Sequence, residues 1–174
     1  MIDVVDENGV VIDTMSREET EDLNHLIQNV IVFIFSPKGE VWIQKRPMHK
    51  KHFPGLWDVS ACGAVASGEK PEAAAMRETL EEMGLKPKLT YVESFLNEFP
   101  GHDNKTFRRL SHLFIGVSDE TPKENDEVDE FKRVPYQELD EEIKSHPDQY
   151  IPSFLVELEK VIPAYEKGNA WLVK

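Results

Sequence analysis

The chain has 174 residues, 40% of them hydrophobic, and a formal net charge of −13. This length and hydrophobic content allow one sizeable core, so we expect a single domain over residues 1–174. The acidic charge argues against duplex nucleic acid and anionic membranes as partners, because both need a basic surface. No apolar run approaches the roughly 18 residues of a membrane-spanning helix, so we expect no membrane partner.

The only cysteine in the sequence is Cys62. A lone cysteine excludes an internal disulfide and fits a reducing compartment. The first residues, Met1 to Asp6, lack the basic and apolar stretches of a signal peptide. We therefore expect a cytoplasmic protein.

Residues 1–26 are predicted to form a β-hairpin followed by a short helix. The dipeptide Asn8-Gly9 lies between two β-rich segments and is a strong hairpin signal. The sequence from Ser16 to Glu19 has the form of a capping box, which predicts a helix or turn from Glu19 to Leu26.

Two strands are predicted to begin the core, which we place at residues 27–145. Residues 28–36, QNVIVFIFS, are nearly all apolar and rich in β-branched and aromatic side chains, as in a strand buried on both faces. A Pro-Lys-Gly turn follows, and residues 40–46, EVWIQKR, alternate like the returning strand. Arg46 ends that strand.

A basic and aromatic loop is predicted over residues 47–56, and residues 57–60 form a short strand after it. The next segment, residues 61–69, ACGAVASGE, consists mostly of small residues and contains two glycines. Backbone can approach a ligand closely at such residues.

A single helix is predicted over residues 71–83, with a proline in its first turn and Gly84 as a left-handed stop. Helical spacing places Glu81 and Glu82 each within about 60° of Glu78, so the three carboxylates share one face. Like charges this close destabilise a helix unless a cation lies over them, and Mg²⁺ or Mn²⁺ prefers oxygen ligands. The alternative is a solvated acidic face. The apolar residues expected on another arc are Ala73, Met76, Leu80 and Met83.

Two more strands are predicted at residues 88–99 and 107–117, with a polar loop between them. Arg108 and Arg109 alternate on the second of these strands, so one can turn toward a ligand while the other faces solvent. His112 has the position of an ordinary packing histidine, with a ligand role as the alternative.

The last third of the chain starts with an acidic loop at residues 118–130, followed by a strand at 131–134 and a short helix at 136–144. Residues 146–174 are predicted to form a helix and a tail. The helix follows from a stripe of apolar side chains, which are Ile151, Phe154, Leu155, Leu158, Val161 and Ile162.

The segment 63–85 carries a specific spacing: Gly63, five residues, Glu69, seven residues, Arg77-Glu78, two residues, Glu81-Glu82, one residue, Gly84 and Leu85. This pattern resembles the Nudix box, the signature of Mg²⁺-dependent hydrolases of nucleoside diphosphates linked to another moiety. All of its fixed non-aliphatic positions match. One departure is Thr79, which stands where the family usually has an aliphatic residue.

The resemblance implies an α/β fold, namely a Nudix-type α/β/α sandwich around a mixed sheet, here with an N-terminal β-hairpin and a C-terminal helix. It also implies a metal site in which Glu78 and Glu82 bind the essential ion and Glu81 ligates a second ion or a water. The loop ahead of the helix is expected to help hold the metal, through the backbone carbonyl of Cys62 and through Gly63.

The remaining site residues also follow from the resemblance. Arg77 and Glu69 are expected to hold the carboxylates in place. Arg46 and Arg108 are the candidates for binding substrate phosphate. An additional acid from the loop is expected among Glu124, Glu127 and Glu130.

The approach to the box and the N-terminal hairpin resemble the branch that contains isopentenyl-diphosphate isomerases and their hydrolase relatives. In the isomerases a cysteine just before the box acts in proton transfer, and Cys62 lies where it is expected. Two residues later they carry a metal-binding histidine where this chain has Ala64, and their paired glutamates on a later strand are absent from residues 107–113. We therefore interpret Cys62 as a small buried residue.

These observations predict a Mg²⁺-dependent hydrolase, with Mn²⁺ as an alternative ion, that cleaves the pyrophosphate linkage of a nucleoside di- or triphosphate or of a nucleoside diphosphate derivative. Its partner would be that small-molecule diphosphate, and a homodimer is left open. An isopentenyl-diphosphate isomerase using Cys62 and a non-catalytic nucleotide-binding module are the alternative functions. The sequence selects neither the substrate nor the general base.

Overall fold

The computed structural model describes residues 1–22, 24–101 and 105–172. Part of the polar loop predicted before the strand at 107–117, and the last two residues of the predicted tail, lie outside these ranges. Within them the chain forms a nine-stranded sheet and four α-helices. The strands are Ile2–Val5 (β1), Val11–Met15 (β2), Ile27–Phe35 (β3), Glu40–Lys45 (β4), Trp57–Asp58 (β5), Ala61–Ala64 (β6), Leu89–Pro100 (β7), Thr106–Val117 (β8) and Glu130–Pro135 (β9). The helices are Arg17–Asp22 (α1), Pro71–Glu78 (α2), Tyr136–Ser145 (α3) and Phe154–Leu172 (α4).

Strand β3 is the centre of the sheet. It pairs in parallel with β8 over its whole length, from Ile27 opposite Arg109 to Phe35 opposite Val117. It also pairs in antiparallel fashion with β1, β4 and β6, while β7 pairs with β8 and β9 with β4. The sheet is therefore mixed, as predicted.

The two faces of β3 are covered by different helices, because side chains alternate along a strand. Ile31, Phe33 and Phe35 pack in one apolar cluster with residues of α3 and α4. Val30 and Val32 pack in a second cluster with α2 on the opposite face. This three-layer arrangement confirms the predicted α/β/α sandwich.

The N-terminal hairpin forms as predicted, with β1 and β2 antiparallel and Gly9 at a φ of 80° in the turn. The capping box is also present, since the hydroxyl of Ser16 donates to the Glu19 carboxylate at 2.7 Å. The helix it starts begins earlier than expected, at Arg17, because Ser16 is the residue outside the first turn. Asn24 at a φ of 54° separates α1 from β3.

The helix predicted over residues 71–83 is α-helical only as far as Glu78. A π-helical turn, Thr79–Met83, follows and ends at Gly84 with a φ of 69°. The apolar arc is also shifted from its expected position, since Ala73 and Leu80 are exposed. The residues buried beneath this segment are Ala74, Ala75, Thr79 and Met83.

Thr79, the residue that departs from the family pattern, is fully buried. Its hydroxyl donates to the carbonyl of Ala75 at 2.7 Å, which satisfies the polar group inside the core. The threonine therefore replaces an aliphatic side chain without leaving an unpaired hydroxyl.

Candidate active site

Glu78, the last residue of α2, lies directly against Gly63 on β6. A Cβ atom placed on Gly63 would overlap the Glu78 carboxylate. Only glycine therefore lets the helix carboxylate approach the strand this closely. Burial raises the pKa of Glu78, and the adjacent Arg77 opposes that effect.

Glu82 reaches the same strand from the following π-helical turn. One of its oxygens accepts hydrogen bonds from the backbone N–H of Cys62 at 2.9 Å and from the Gln44 amide at 2.7 Å. Burial raises the pKa of Glu82 to about 8, and the negative charge of Glu78 adds to the shift. Two carboxylates thus share a partly enclosed space beside β6.

Arg77 ties these acids to the loop that precedes the helix. Its guanidinium binds both oxygens of Glu69 at 2.9 Å and also contacts Glu78 at 2.6 Å. The hydrogen bond from Arg77 lowers the pKa of Glu69. The same guanidinium donates to the carbonyl of Ala64 at 3.1 Å. Arg77 and Glu69 are thus placed to orient the acids, as the sequence predicts.

The backbone of β6 presents alternate residues to its two sides. Gly63 and Val65 face β3, since Val65 donates to the Gln28 carbonyl there. Cys62 and Ala64 face the helix, as their bonds to Glu82 and Arg77 show. The N–H and C=O of one strand residue point to the same side, so the carbonyl of Cys62 also faces the two carboxylates. The carbonyl of Gly63 faces β3, and its part in the site is the close contact with Glu78.

The other predicted acids lie elsewhere. Glu81 has a side chain that is 54% exposed, and its contact is with Arg77 at 3.2 Å. In the acidic loop, Glu127 forms an ion pair with Lys50 at 2.7 Å, and Glu124 and Glu130 are exposed. The structure does not bring these loop acids to Glu78 and Glu82.

The described residues contain no group of three or more His, Cys, Asp or Glu side chains arranged to hold a metal ion. The donor set beside β6 is smaller, with two carboxylates, Glu78 and Glu82, and the carbonyl of Cys62. This all-oxygen set fits Mg²⁺, which keeps several waters and needs only one or two protein carboxylates. Burial raises the pKa of both acids because it disfavours their ionised forms, and a bound cation would offset that cost.

A cavity of about 190 Å³ lies against β6, where Cys62, Gly63 and Ala64 line it. It is bounded by β6, the first residues of β3, helix α1, the neighbouring ends of β7 and β8, and the start of α4. Its apolar wall consists of Ile27, Ile31, Phe53, Phe99, Phe107 and Ile151. Its charged lining residues are Arg17, Glu21, Arg46, Asp58, Arg109 and Glu157. Cys62 and Gly63 therefore border both the cavity and the carboxylate pair.

Arg46 is one of the two predicted phosphate-binding residues, and it lines the cavity. Its guanidinium binds the buried Asp58 at 2.8 Å and the carbonyl of His52 at 3.0 Å. These contacts fix the side chain in place. The same Asp58 carboxylate accepts a weak hydrogen bond from the Cys62 thiol at 3.5 Å.

Arg108, the other predicted phosphate-binding residue, does not reach the cavity. It points outward and pairs with Glu98 at 2.8 Å and with Glu7 at 2.9 Å. Its neighbour Arg109 faces inward, because side chains alternate along β8. Burial lowers the pKa of Arg109 to about 10, against the opposing charge of Glu21, which also lines the cavity. Among the described residues no carboxylate lies within ion-pair distance of Arg109. The cation available to a ligand is therefore Arg109.

The floor of the cavity holds an acid that the sequence analysis did not select. Glu157 on α4 is 3% exposed and accepts a hydrogen bond from the Asn97 amide at 2.9 Å. Burial raises the pKa of Glu157 to about 7, and the charge of Asp58 contributes. The signal available in the sequence is the position of a charged residue, Glu157, between apolar residues of the predicted helical stripe.

Cys62 lines the cavity, and its thiol is held in the protonated form. Burial raises the pKa of this thiol well above its ordinary value, and the charges of Asp58 and Glu82 add to the effect. His112 lies on the opposite face of β8, where its ring bonds the Gln28 amide at 2.8 Å. It is a packing residue in this structure.

The sequence matches the NUDIX domain over residues 25–154. It is 33% identical over 168 residues to isopentenyl-diphosphate Delta-isomerase of Streptomyces griseus subsp. griseus, covering 94% of this chain and 84% of that protein. It is 35% identical over 148 residues to isopentenyl-diphosphate Delta-isomerase 2 of Photorhabdus laumondii subsp. laumondii, covering 84% of each.

The fold is similar to a solved structure, that of DR0079 from Deinococcus radiodurans. The TM-score is 0.72 at 24% identity, with 90% of this chain and 94% of that chain covered. Across the described part of the chain, no helix has the length and apolar character needed to cross a membrane.

Proposed function

This chain belongs to the Nudix family, and from that premise we propose that it is a Mg²⁺-dependent hydrolase that cleaves the pyrophosphate linkage of a nucleoside di- or triphosphate or a nucleoside diphosphate derivative. The observation that carries the proposal is the pair Glu78 and Glu82 beside β6. Burial raises the pKa values of both carboxylates, and the cavity next to them contains a buried arginine, Arg109, whose nearest acidic influence is Glu21 and which forms no ion pair among the described residues. An anionic substrate would satisfy that arginine, and a divalent cation would satisfy the acids.

The metal would be held by Glu78, Glu82 and the carbonyl of Cys62. When bound, Mg²⁺ supplies charge neutralisation to the pyrophosphate and lowers the pKa of an attacking water. Arg77 and Glu69 keep the two carboxylates in position through the hydrogen bonds described above. Mn²⁺ would fit the same oxygen donors.

Two arginines, Arg109 and Arg46, would contribute to substrate binding in different ways. Arg109 would bind a phosphate oxygen directly, because guanidinium groups form strong charge-assisted bonds to phosphate. Arg46 is already bonded to Asp58, so it contributes a fixed positive charge at the cavity wall. The proton of the attacking water would pass to Glu78, Glu81 or Glu82.

The second candidate function is that of an isopentenyl-diphosphate isomerase. It is favoured by the names of the relatives and by the position of Cys62 in the cavity. Against it, Ala64 replaces the histidine expected from the isomerases. The cavity-lining side chains of the later strand are Phe107 and Arg109 instead of carboxylates. An intact Nudix box also argues against a module that only binds nucleotides.

An assay of the released products tests the proposal: a nucleoside monophosphate together with phosphate, pyrophosphate or a sugar phosphate, according to the substrate. The substrates would be nucleoside di- and triphosphates, nucleotide sugars and isopentenyl diphosphate, each with Mg²⁺ and with a chelator. We expect Mg²⁺-dependent cleavage of at least one nucleotide, and a loss of about 100-fold or more in kcat for Glu78→Gln and Glu82→Gln. Wild-type turnover by folded Glu82→Gln, or isomerisation without any hydrolysis, would overturn the proposal.

A further inference from the structure

We propose that Glu157 determines substrate specificity: one of its carboxyl oxygens hydrogen-bonds a polar group on the organic moiety of the substrate. This inference rests on the proposed function and narrows its substrate class. The substrate would be a diphosphate whose organic moiety is compact, mostly apolar and equipped with a hydrogen-bonding group, such as a nucleobase, and not a plain hydrocarbon chain.

The geometry of Glu157 leaves one carboxyl oxygen available. Its Oε1 accepts the hydrogen bond from Asn97, whereas its Oε2 is buried and has no hydrogen-bond partner among the described residues. The side chain lines the cavity. The hydroxyl of Ser153, one helical turn earlier, is close enough to lower the pKa of Glu157 against the effect of burial, but it does not reach hydrogen-bond geometry with Oε2.

A buried carboxyl oxygen without a partner is costly. Such a group has lost its hydrogen bonds to water and gains none from the protein, and the loss is greater when the group is charged. An apolar residue at position 157 would suit the surrounding helix stripe, since the next residue, Leu158, is fully buried. The free oxygen is therefore better explained by a ligand than by the packing of α4.

The rest of the cavity indicates what such a ligand looks like. Phe53, Phe99 and Phe107 form one aromatic cluster with centroid distances of 5.6–6.2 Å. Aromatic side chains of this kind stack on planar rings. Arg109 lies over the Phe107 ring at 5.0 Å and provides the positive charge for the phosphate end. A ligand held between Arg109 and Glu157 needs an anion at one end and a polar group at the other.

This arrangement discriminates against a hydrocarbon chain. An isopentenyl group would fill apolar space but leave the oxygen of Glu157 buried and unpaired. Sites that hydrogen-bond a substrate group reject analogues without that group by up to about 10⁴-fold, because their polar atoms stay unpaired. The two substrate classes are therefore separable by measurement.

The experiment compares the wild type with Glu157→Met and Glu157→Gln. Binding of ADP, GDP, CDP, UDP and isopentenyl diphosphate is measured by calorimetry in a chelator, so that the result does not depend on catalysis. We expect the wild type to bind at least one nucleotide about tenfold or more tightly than isopentenyl diphosphate. Glu157→Met should remove that preference, and Glu157→Gln, which keeps an acceptor for Asn97 and one further polar atom, should retain part of it.

The control is Glu159→Met, a change to an exposed residue on the same helix, which should leave every affinity unchanged. Unchanged selectivity in Glu157→Met, or tighter binding of isopentenyl diphosphate than of every nucleotide by the wild type, would overturn the inference. If the wild type binds nucleotides selectively through Glu157 but hydrolyses none, the proposed function fails and this inference stands. If the wild type hydrolyses nucleotides and Glu157→Met does so with the same selectivity, the proposed function stands and this inference fails.

Discussion

The backbone N–H of Cys62 donates a 2.9 Å hydrogen bond to the carboxylate of Glu82, a residue 20 positions later in the chain. The bond joins the strand that borders the cavity to the turn that carries the acid. A second bond, from Gln44 on β4, holds the same carboxylate from the sheet side. Strands β6 and β4 both hold the Glu82 carboxylate. Its position therefore depends on the close packing of β6 against α2 and the turn that follows α2.

That packing predicts a strong effect for Gly63→Ala. The new methyl group would overlap the Glu78 carboxylate and force the helix and strand apart. We expect a loss of about 1–3 kcal/mol in the free energy of unfolding and a fall of at least about 100-fold in kcat. Denaturant unfolding and steady-state kinetics measure the two effects.

The matched control is Gly168→Ala, because a Cβ at that glycine on α4 meets no atom within 4 Å. This variant should keep wild-type activity and should be no less stable than the wild type, because alanine favours a helix more than glycine does. Full activity in Gly63→Ala would show that Glu78 does not need its contact with β6.

Much of this site could be predicted because the signals are local. The spacing from Gly63 to Leu85 indicates both the acids and their positioning residues, and the hairpin dipeptide Asn8-Gly9 indicates β1 and β2. The central strand β3 is recognisable by its continuous apolar sequence. In each case a few neighbouring residues carry the information.

The remaining features depend on contacts between distant segments. In the π-helical turn after Glu78, Glu82 bonds the sheet whereas Glu81 is exposed, and no propensity distinguishes such a turn from a continuing α-helix. The choice between Arg108 and Arg109 depends on the pairing register of β8 with β3. Glu157 lies in a helical stripe that has the pattern of plain core, and only the fold shows the cavity next to it.

The orientation of the two arginines on β8 predicts a difference between their variants. Arg109→Gln should lower kcat/KM by about 10- to 100-fold, mostly through KM, because a charged hydrogen bond to phosphate is lost. Arg108→Gln should change kcat/KM by less than about threefold, since this side chain pairs with Glu7 and Glu98 outside the cavity. Equal losses in both variants would place the phosphate site elsewhere.

Replacement of the cysteine separates the two candidate reactions. Cys62→Ala keeps the backbone N–H and carbonyl that face Glu82, so hydrolysis should stay within about threefold of the wild type. An isomerase that uses the thiol for proton transfer would lose its activity completely. Product analysis by NMR with isopentenyl diphosphate, alongside phosphate release from nucleotides, distinguishes these outcomes. A hydrolase whose activity disappears in Cys62→Ala would contradict our assignment of the thiol.

The raised pKa of Glu157 predicts how stability changes with pH in the ligand-free protein. The ordinary pKa of a glutamate is 4.5, and the value for Glu157 in the fold is about 7, so the folded state favours the protonated form. Its favourable contribution is complete below pH 4.5 and is lost as the pH rises toward 7. Glu157→Gln cannot ionise, and it should match the wild type near pH 4.5 but be more stable by about 3 kcal/mol at pH 8.

Denaturant unfolding of both proteins across this pH range measures the difference directly. Other acids titrate over the same range, but they are common to the two proteins and cancel in the comparison. The groups around Glu157 set the expected sign: Asp58 contributes negative charge, whereas Asn97 and Ser153 favour the ionised form without carrying charge. A constant difference from pH 4.5 to pH 8 would mean that Glu157 titrates normally, and that a polar partner already satisfies its second oxygen.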